Sequence, residues 1–214
     1  GEVTNVSVYA AGMLLGLVTI PMGSGDVTDA IASAFGIRRF QAERLKCVHG
    51  SAIASPADHR EMIPVNAPGD EMTGPIARHA DDKNRIPRAE LISVITEQLA
   101  RLMDEVGRAL KSLGFTGQRG QQIVLTGGGA ELAGLADYAQ AALGKPVRIG
   151  RPIHIKGLPE AHATPGFSTL TGLVLYAAAD PIDIRKVGGK NTDSGYLDKL
   201  GLLGRLYRAA REYF

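Results

Sequence analysis

Apolar positions along the chain repeat with two periods, and the places where the period changes mark the elements. Residues 3–20 carry two β-rich runs, VTNVSVYA and MLLGLVTI, joined by Ala10-Ala11-Gly12, which predicts a hairpin with a short turn. GSGD at 23–26 punctuates the chain. Val27, Ile31, Ala34 and Phe35 then fall on one side of a helix, with Asp26 typed to cap it and Gly36 to stop it. A second short helix is predicted over about 39–48. Prolines break up residues 50–87, where MIPV could hold one strand, so this stretch reads as a small inserted subdomain.

The strongest helical signal is at 88–113. Leu91, Ile95, Leu99, Leu102, Val106, Leu110 and Leu113 recur at spacings of three and four, and Gly114 follows as a stop. Next comes a strand, QQIVLT, then three glycines, a helix expected over about 131–143, a strand at PVRIG and a helix over about 165–179 with Thr164 available as its cap. The order predicts an α/β fold with a mixed sheet flanked by helices. Polar residues 181–196 read as a flexible linker.

Residues 197–214 return to helical periodicity. Leu200, Leu203, Leu206, Tyr207, Ala210 and Phe214 share one side of a helical wheel, while Arg205 and Arg208 take the opposite arc and Arg211 borders the stripe. An apolar stripe, a basic face and aromatic residues after a linker describe a helix lying in an anionic membrane surface. The alternative is a helix that docks on its own domain or on a partner. Gly201 and Gly204 lower its intrinsic helicity, which implies folding on contact.

Composition narrows the chemistry. The chain has 214 residues, a net charge of +2, no Trp and a single cysteine, Cys47. That charge and the scarcity of aromatics argue against nucleic acid. One cysteine excludes an internal disulfide and Cys-based zinc sites, and fits a reducing compartment. The five His lack ligand-like spacing. No run reaches the roughly 20 apolar residues of a membrane span. The start resembles neither a signal peptide nor a complete motif, which predicts a piece of a longer protein.

Candidate chemistry lies in the turns. Gly127, Gly128 and Gly129 follow a buried strand, where bare backbone allows a ligand to approach. Glu43 and Lys46, spaced three apart, share a helix face, either as a site or as a surface ion pair. Lys83, Arg85 and Arg88 form a basic cluster that suits an acidic peptide, or are solvated loop charges.

Five segments then occur in one order: GEVTNVSVY, GSGDVTDAIASAFG, AERLK, VLTGGGAELAGLADYAQAALGKPVRIGRP and STLTGLVLYA. Together they resemble the C-terminal half of the FtsA family, bacterial cell-division proteins of the actin-like ATPase superfamily, over residues 1 to 180. The tail resembles that family's membrane-targeting helix. The resemblance implies an actin-like (ribonuclease H-like) fold with a large inner subdomain at 1–48 and 88–180 and an outer one at about 49–87. It implies ATP with Mg2+ in a cleft between two halves.

In this resemblance Gly1, Glu2, Val3 and Thr4 are the remainder of the second phosphate loop, a hairpin whose backbone N–H groups cradle phosphate. Glu2 departs from the family's glycine there. Glu43 and Lys46 match the family's Glu-x-x-Lys around ribose and adenine. Gly127, Gly128, Gly129 and Ala130 match its adenosine motif, with Glu131 beginning the adjacent helix. The first phosphate loop belongs to the other half, so the resemblance implies weak ATPase activity at most. It implies self-association into filaments, contact with other division proteins, and binding of the C-terminal peptide of FtsZ by the insert. It places the protein peripherally on the cytoplasmic side of the inner membrane at the division site. A pilus-assembly relative or a sugar-kinase-like enzyme is the alternative.

Overall fold

A computed structural model describes residues 1–66, 85–115, 121–152, 157 and 159–179. The chain divides into two compact units, Gly1–Thr171 and Gly172–Phe214. The first unit carries every element below except the greater part of the last helix.

Strands β1 (Thr4–Ala10) and β2 (Met13–Ile20) form the expected antiparallel hairpin. Its turn places Ala11 and Gly12 both at positive φ, +49° and +80°, the backbone that matches the twist of two strands. Val8 pairs with Gly16 but Tyr9 with Leu14, so Leu15 is an extra residue and the strand bulges there.

Helix α1 (Ser24–Phe35) ends on Gly36 at φ +61°. Asp26 lies inside the first turn rather than at the cap, and its carboxylate accepts from the Gly23 N–H at 2.7 Å. Gly23 and Gly25 are required for a different reason. The opening residues of the chain press against them: Gly25 N–H donates to the Gly1 carbonyl at 2.9 Å, and a Cβ on Gly23 would sit 2.4 Å from that oxygen. Helix α2 (Arg39–His49) follows.

Helix α3 (Arg88–Ser112) is the spine, about 37 Å long at 1.5 Å per residue. Its first half enters a core with Val27 and Ile31 of α1, Ala42 and Leu45 of α2, and Leu135. Its second half packs Val106 and Ala109 against Val6 and Ile20 of the hairpin. Fully burying one such Ile or Leu stabilises by roughly 1.5–3 kcal/mol. Of the predicted insert, a 3-10 turn at Pro56–His59 and strand β3 (Met62–Pro64) are described. The sequence pattern missed β4 (Arg85–Pro87), which pairs antiparallel with β3. Ile63, Val65 and Ile86 are buried in the α1–α2–α3 core.

Strand β5 (Ile123–Leu125) pairs in parallel with β6 (Val147–Ile149). The helix expected from 131 starts later. Gly128–Glu131 is a 3-10 turn, Gly134 takes φ +74°, and α4 spans Leu135–Leu143. The left-handed Gly134, with Ile53 packed at 2.9 Å from where its Cβ would sit, separates the turn from the helix. Likewise Pro165–Phe167 is a 3-10 turn before α5 (Ser168–Ala178), and Thr164 makes no side-chain cap. The fold is α/β. Its antiparallel and parallel pairings are distributed over three two-stranded sheets among the described residues.

Candidate functional site

The start of the hairpin, the glycine turn after β5 and three helices meet at a cavity of about 770 Å³. Gly1, Val3 and Thr4 line it from the start of the hairpin, and Gly127 to Ala130 from the turn after β5. Lys46 and Cys47 enter from α2, Ser24 from α1, and Leu99, Leu102 and Val106 of α3 supply an apolar wall.

The glycine turn is held from below by the chain before α5. Gly127 N–H donates to the Pro165 carbonyl at 3.0 Å, and Gly166 N–H donates to Glu131 at 3.0 Å. Gly127 has φ +92°, a conformation side chains rarely adopt. A Cβ on Gly127 or Gly128 would meet nothing within 4 Å, whereas one on Gly129 would touch Ser24 at 3.3 Å. The turn therefore presents open, bare backbone.

On α2 the spacing of three makes an ion pair: Lys46 Nζ lies 2.7 Å from Glu43 Oε2. The ammonium is buried and also donates to Thr28 Oγ1 at 2.8 Å, Ser24 Oγ at 2.9 Å and the Ser24 carbonyl at 3.1 Å. Thr28 in turn hydrogen-bonds Glu43. Partial burial pushes the Glu43 carboxyl upward. The hydrogen bonds from Lys46 and Thr28 and the Lys46 charge outweigh it, so the net shift is below the usual carboxylate range. Burial and the Glu43 carboxylate push the neighbouring Cys47 thiol up.

Glu43 is half exposed and is not among the residues lining the cavity; it acts on the site through Lys46. Glu2 also turns away. Its carboxylate pairs with Arg39 at 3.1 Å, and Arg39 takes Asp29 at 2.6 Å. The acidic residue in the first turn is thereby met by a cation rather than aimed at the cavity.

Ser24 and Thr28 are the residues that sequence reasoning missed. The available signal was a pair of hydroxyls four apart, hence on one face, beside the apolar stripe of α1. Among the described residues, no group of three His, Cys, Asp or Glu is placed to hold a metal ion.

The basic cluster divides. Arg85 is exposed on β4. Arg88 is tied inward: its guanidinium lies 3.1 Å from the buried Asp58 and 2.9 Å from Glu61, and it donates to the His49 carbonyl at 3.2 Å. The Asp58 contact is an ion pair by distance, without the alignment of a hydrogen bond. Arg88 thus anchors the insert to α3 and is not a free cation for a partner. Lys83, the linker at 181–196 and the tail residues Leu200 to Phe214 lie outside the described residues. No described helix is long and apolar enough to cross a membrane.

Comparison with known proteins completes the picture. The family model for "Cell division protein FtsA" matches residues 1–172. The chain is 34% identical over 208 residues to the cell division protein FtsA of Rhizobium meliloti (strain 1021), covering 97% of this chain and 44% of that protein. It therefore spans less than half the length of that relative. MreB5 of Spiroplasma citri, solved with ADP, aligns with TM-score 0.58 at 17% identity over 84% of this chain and 51% of the other. A chain of the PilM–PilN type IV pilus biogenesis complex aligns with TM-score 0.55 at 19% identity, over 82% and 43%. At those identities the likeness concerns the fold, which is actin-like. With its hairpin, glycine turn and α2 pair in this arrangement, and with the match running through residue 172, the chain belongs to the FtsA family of cell division proteins.

Proposed function

We propose that this chain forms one half of an ATP site in an actin-like cell-division protein. The observation that carries the reading is the convergence of Gly1–Thr4 and Gly127–Ala130 on one cavity, with the Lys46 ammonium beside them. Open backbone suits both ends of a nucleotide. The first turn offers N–H groups to phosphate, and the glycine turn lets a nucleoside lie flat against the chain. The open space at Gly127 and Gly128 fits that role. Mg2+ accompanies the phosphates, in a site completed by the other half of the protein. Hydrolysis would need groups from the rest of the protein, so turnover by this chain is slight.

Residues 1–48 and 88–180 form the inner, nucleotide-holding subdomain and 49–87 the outer one. The protein polymerises and binds the C-terminal peptide of FtsZ through the outer subdomain, where Arg85, of the candidate cations Lys83, Arg85 and Arg88, is described and exposed. The helix at 197–214, after its linker, fastens the filament to anionic lipid on the cytoplasmic face of the inner membrane, where other division proteins meet it.

Cys47 reports on the nucleotide reading, being the sole cysteine and a lining residue of the cavity. Its raised pKa calls for iodoacetamide labelling at mildly alkaline pH. MgATP slows that labelling in a saturable manner; an unchanged rate at saturating MgATP rejects the site. For the tether, co-sedimentation with phosphatidylglycerol vesicles requires residues 197–214, and equal pelleting without them rejects it.

A further inference from the structure

Thr28 is 1% exposed, on the face of α1 that carries Val27 and Ile31 into the core. A valine of the same shape would fill that space, and a buried hydroxyl is unfavourable unless it is hydrogen-bonded. Its bonds are specific: Glu43 Oε2, Lys46 Nζ at 2.8 Å and the Ser24 carbonyl at 3.2 Å. A hydroxyl has one proton and two acceptor sites. An ionised Glu43 and the Ser24 carbonyl only accept and Lys46 only donates, so Thr28 accepts from Lys46 and gives its one proton to Glu43, the nearer and charged acceptor, with the Ser24 carbonyl at the edge of the same proton's reach. One side chain on α1 thereby fixes both members of the α2 pair.

Lys46 has three protons and four acceptors: Glu43 at 2.7 Å, Thr28 at 2.8 Å, Ser24 Oγ at 2.9 Å and the Ser24 carbonyl at 3.1 Å. It can give up one acceptor and remain held. Ser24 lines the cavity and faces Gly129, so its Oγ is the contact placed for exchange. Thr28 does not line the cavity.

We propose that Thr28 is a positioning residue of the nucleotide site. It locks Glu43 and Lys46 in place without touching ligand, while Ser24 Oγ yields its contact on Lys46 to a nucleotide oxygen. The inference rests on the nucleotide reading above and adds the device that preorganises it.

The test is calorimetric titration of the full chain with MgATP, in wild type and in Thr28→Val, Thr28→Ser and Ser24→Ala, each checked for folding by thermal melting. Thr28→Val binds roughly tenfold more weakly, the effect of a lost hydrogen bond to charged groups. Thr28→Ser and Ser24→Ala stay within about threefold of wild type. The pH dependence separates positioning from packing. Glu43 loses a donor in Thr28→Val, so its carboxyl protonates at higher pH and the acid limb of affinity moves up; in Thr28→Ser it does not. Should Thr28→Val fail to fold, Thr28→Ala carries the same comparison. Wild-type affinity and acid limb in the Val variant, or a Ser variant as weak as the Val one, overturn the positioning role and leave the nucleotide site standing. Absence of MgATP binding by the wild type overturns both.

Discussion

The two walls of the cavity are built on opposite plans. At Gly127–Gly129 the wall is backbone with side chains removed, and its form depends on a positive φ and on empty space. At α1 and α2 the wall is Ser24 and Lys46, tied behind the cavity to Thr28 and Glu43 in a close-set polar cluster. The first kind of wall fails when atoms are added and the second when atoms are removed. A site of this construction is therefore sensitive to opposite chemistries on its two sides, and substitutions can be chosen to strike one wall while sparing the other.

The largest effect is expected on the polar side. Lys46→Met keeps the aliphatic stem but leaves buried Thr28 without its donor; it destabilises by about 1–3 kcal/mol in denaturant unfolding and weakens MgATP binding more than tenfold, on the order of a lost charge-assisted bond. On the glycine side, stability and binding come apart. Gly128→Ala leaves unfolding unchanged, because its Cβ meets nothing within 4 Å, yet weakens MgATP binding. Gly127→Ala adds a loss of about 1 kcal/mol for the strained φ. Equal losses of stability in Gly128→Ala and Lys46→Met would erase the contrast between the walls.

A smaller effect comes through pH. The folded-state Glu43 carboxyl titrates below its unfolded value, so its contribution is full above the ordinary carboxylate range and is lost as pH falls through the depressed value. The difference in melting temperature between wild type and Glu43→Gln is accordingly constant near neutrality and closes in acid; a gap that widens on acidification contradicts the assignment. The smallest effect belongs outside both walls. Arg39→Gln breaks exposed pairs with Glu2 and Asp29, and no measurable shift in melting temperature is expected.

How far the sequence exposed this arrangement differs between the walls in the same way. The glycines, the hairpin turn at Ala11-Gly12, the stop at Gly36 and the α3 stripe are local patterns, and each marks its own element. The pattern places Gly134 inside a helix, because neither its positive φ nor Ile53 beside it, eighty-one residues upstream, leaves a local signal. Strand β4 is three residues long and carries no periodicity to detect. Thr28 and Ser24 stayed hidden because their meaning comes from α2, fifteen or more residues away. Arg88 looked like part of a surface cluster for the same reason: Asp58 and Glu61, which neutralise it, are about thirty residues upstream.

The measurement that bears most directly on the central claim is an amide-resolved NMR titration of the chain with MgATP. One ligand spanning both turns shifts Val3 and Thr4 together with Gly127, Gly128 and Gly129, all along a single saturation curve. Shifts confined to one turn, or two sets with separate affinities, contradict a shared nucleotide site.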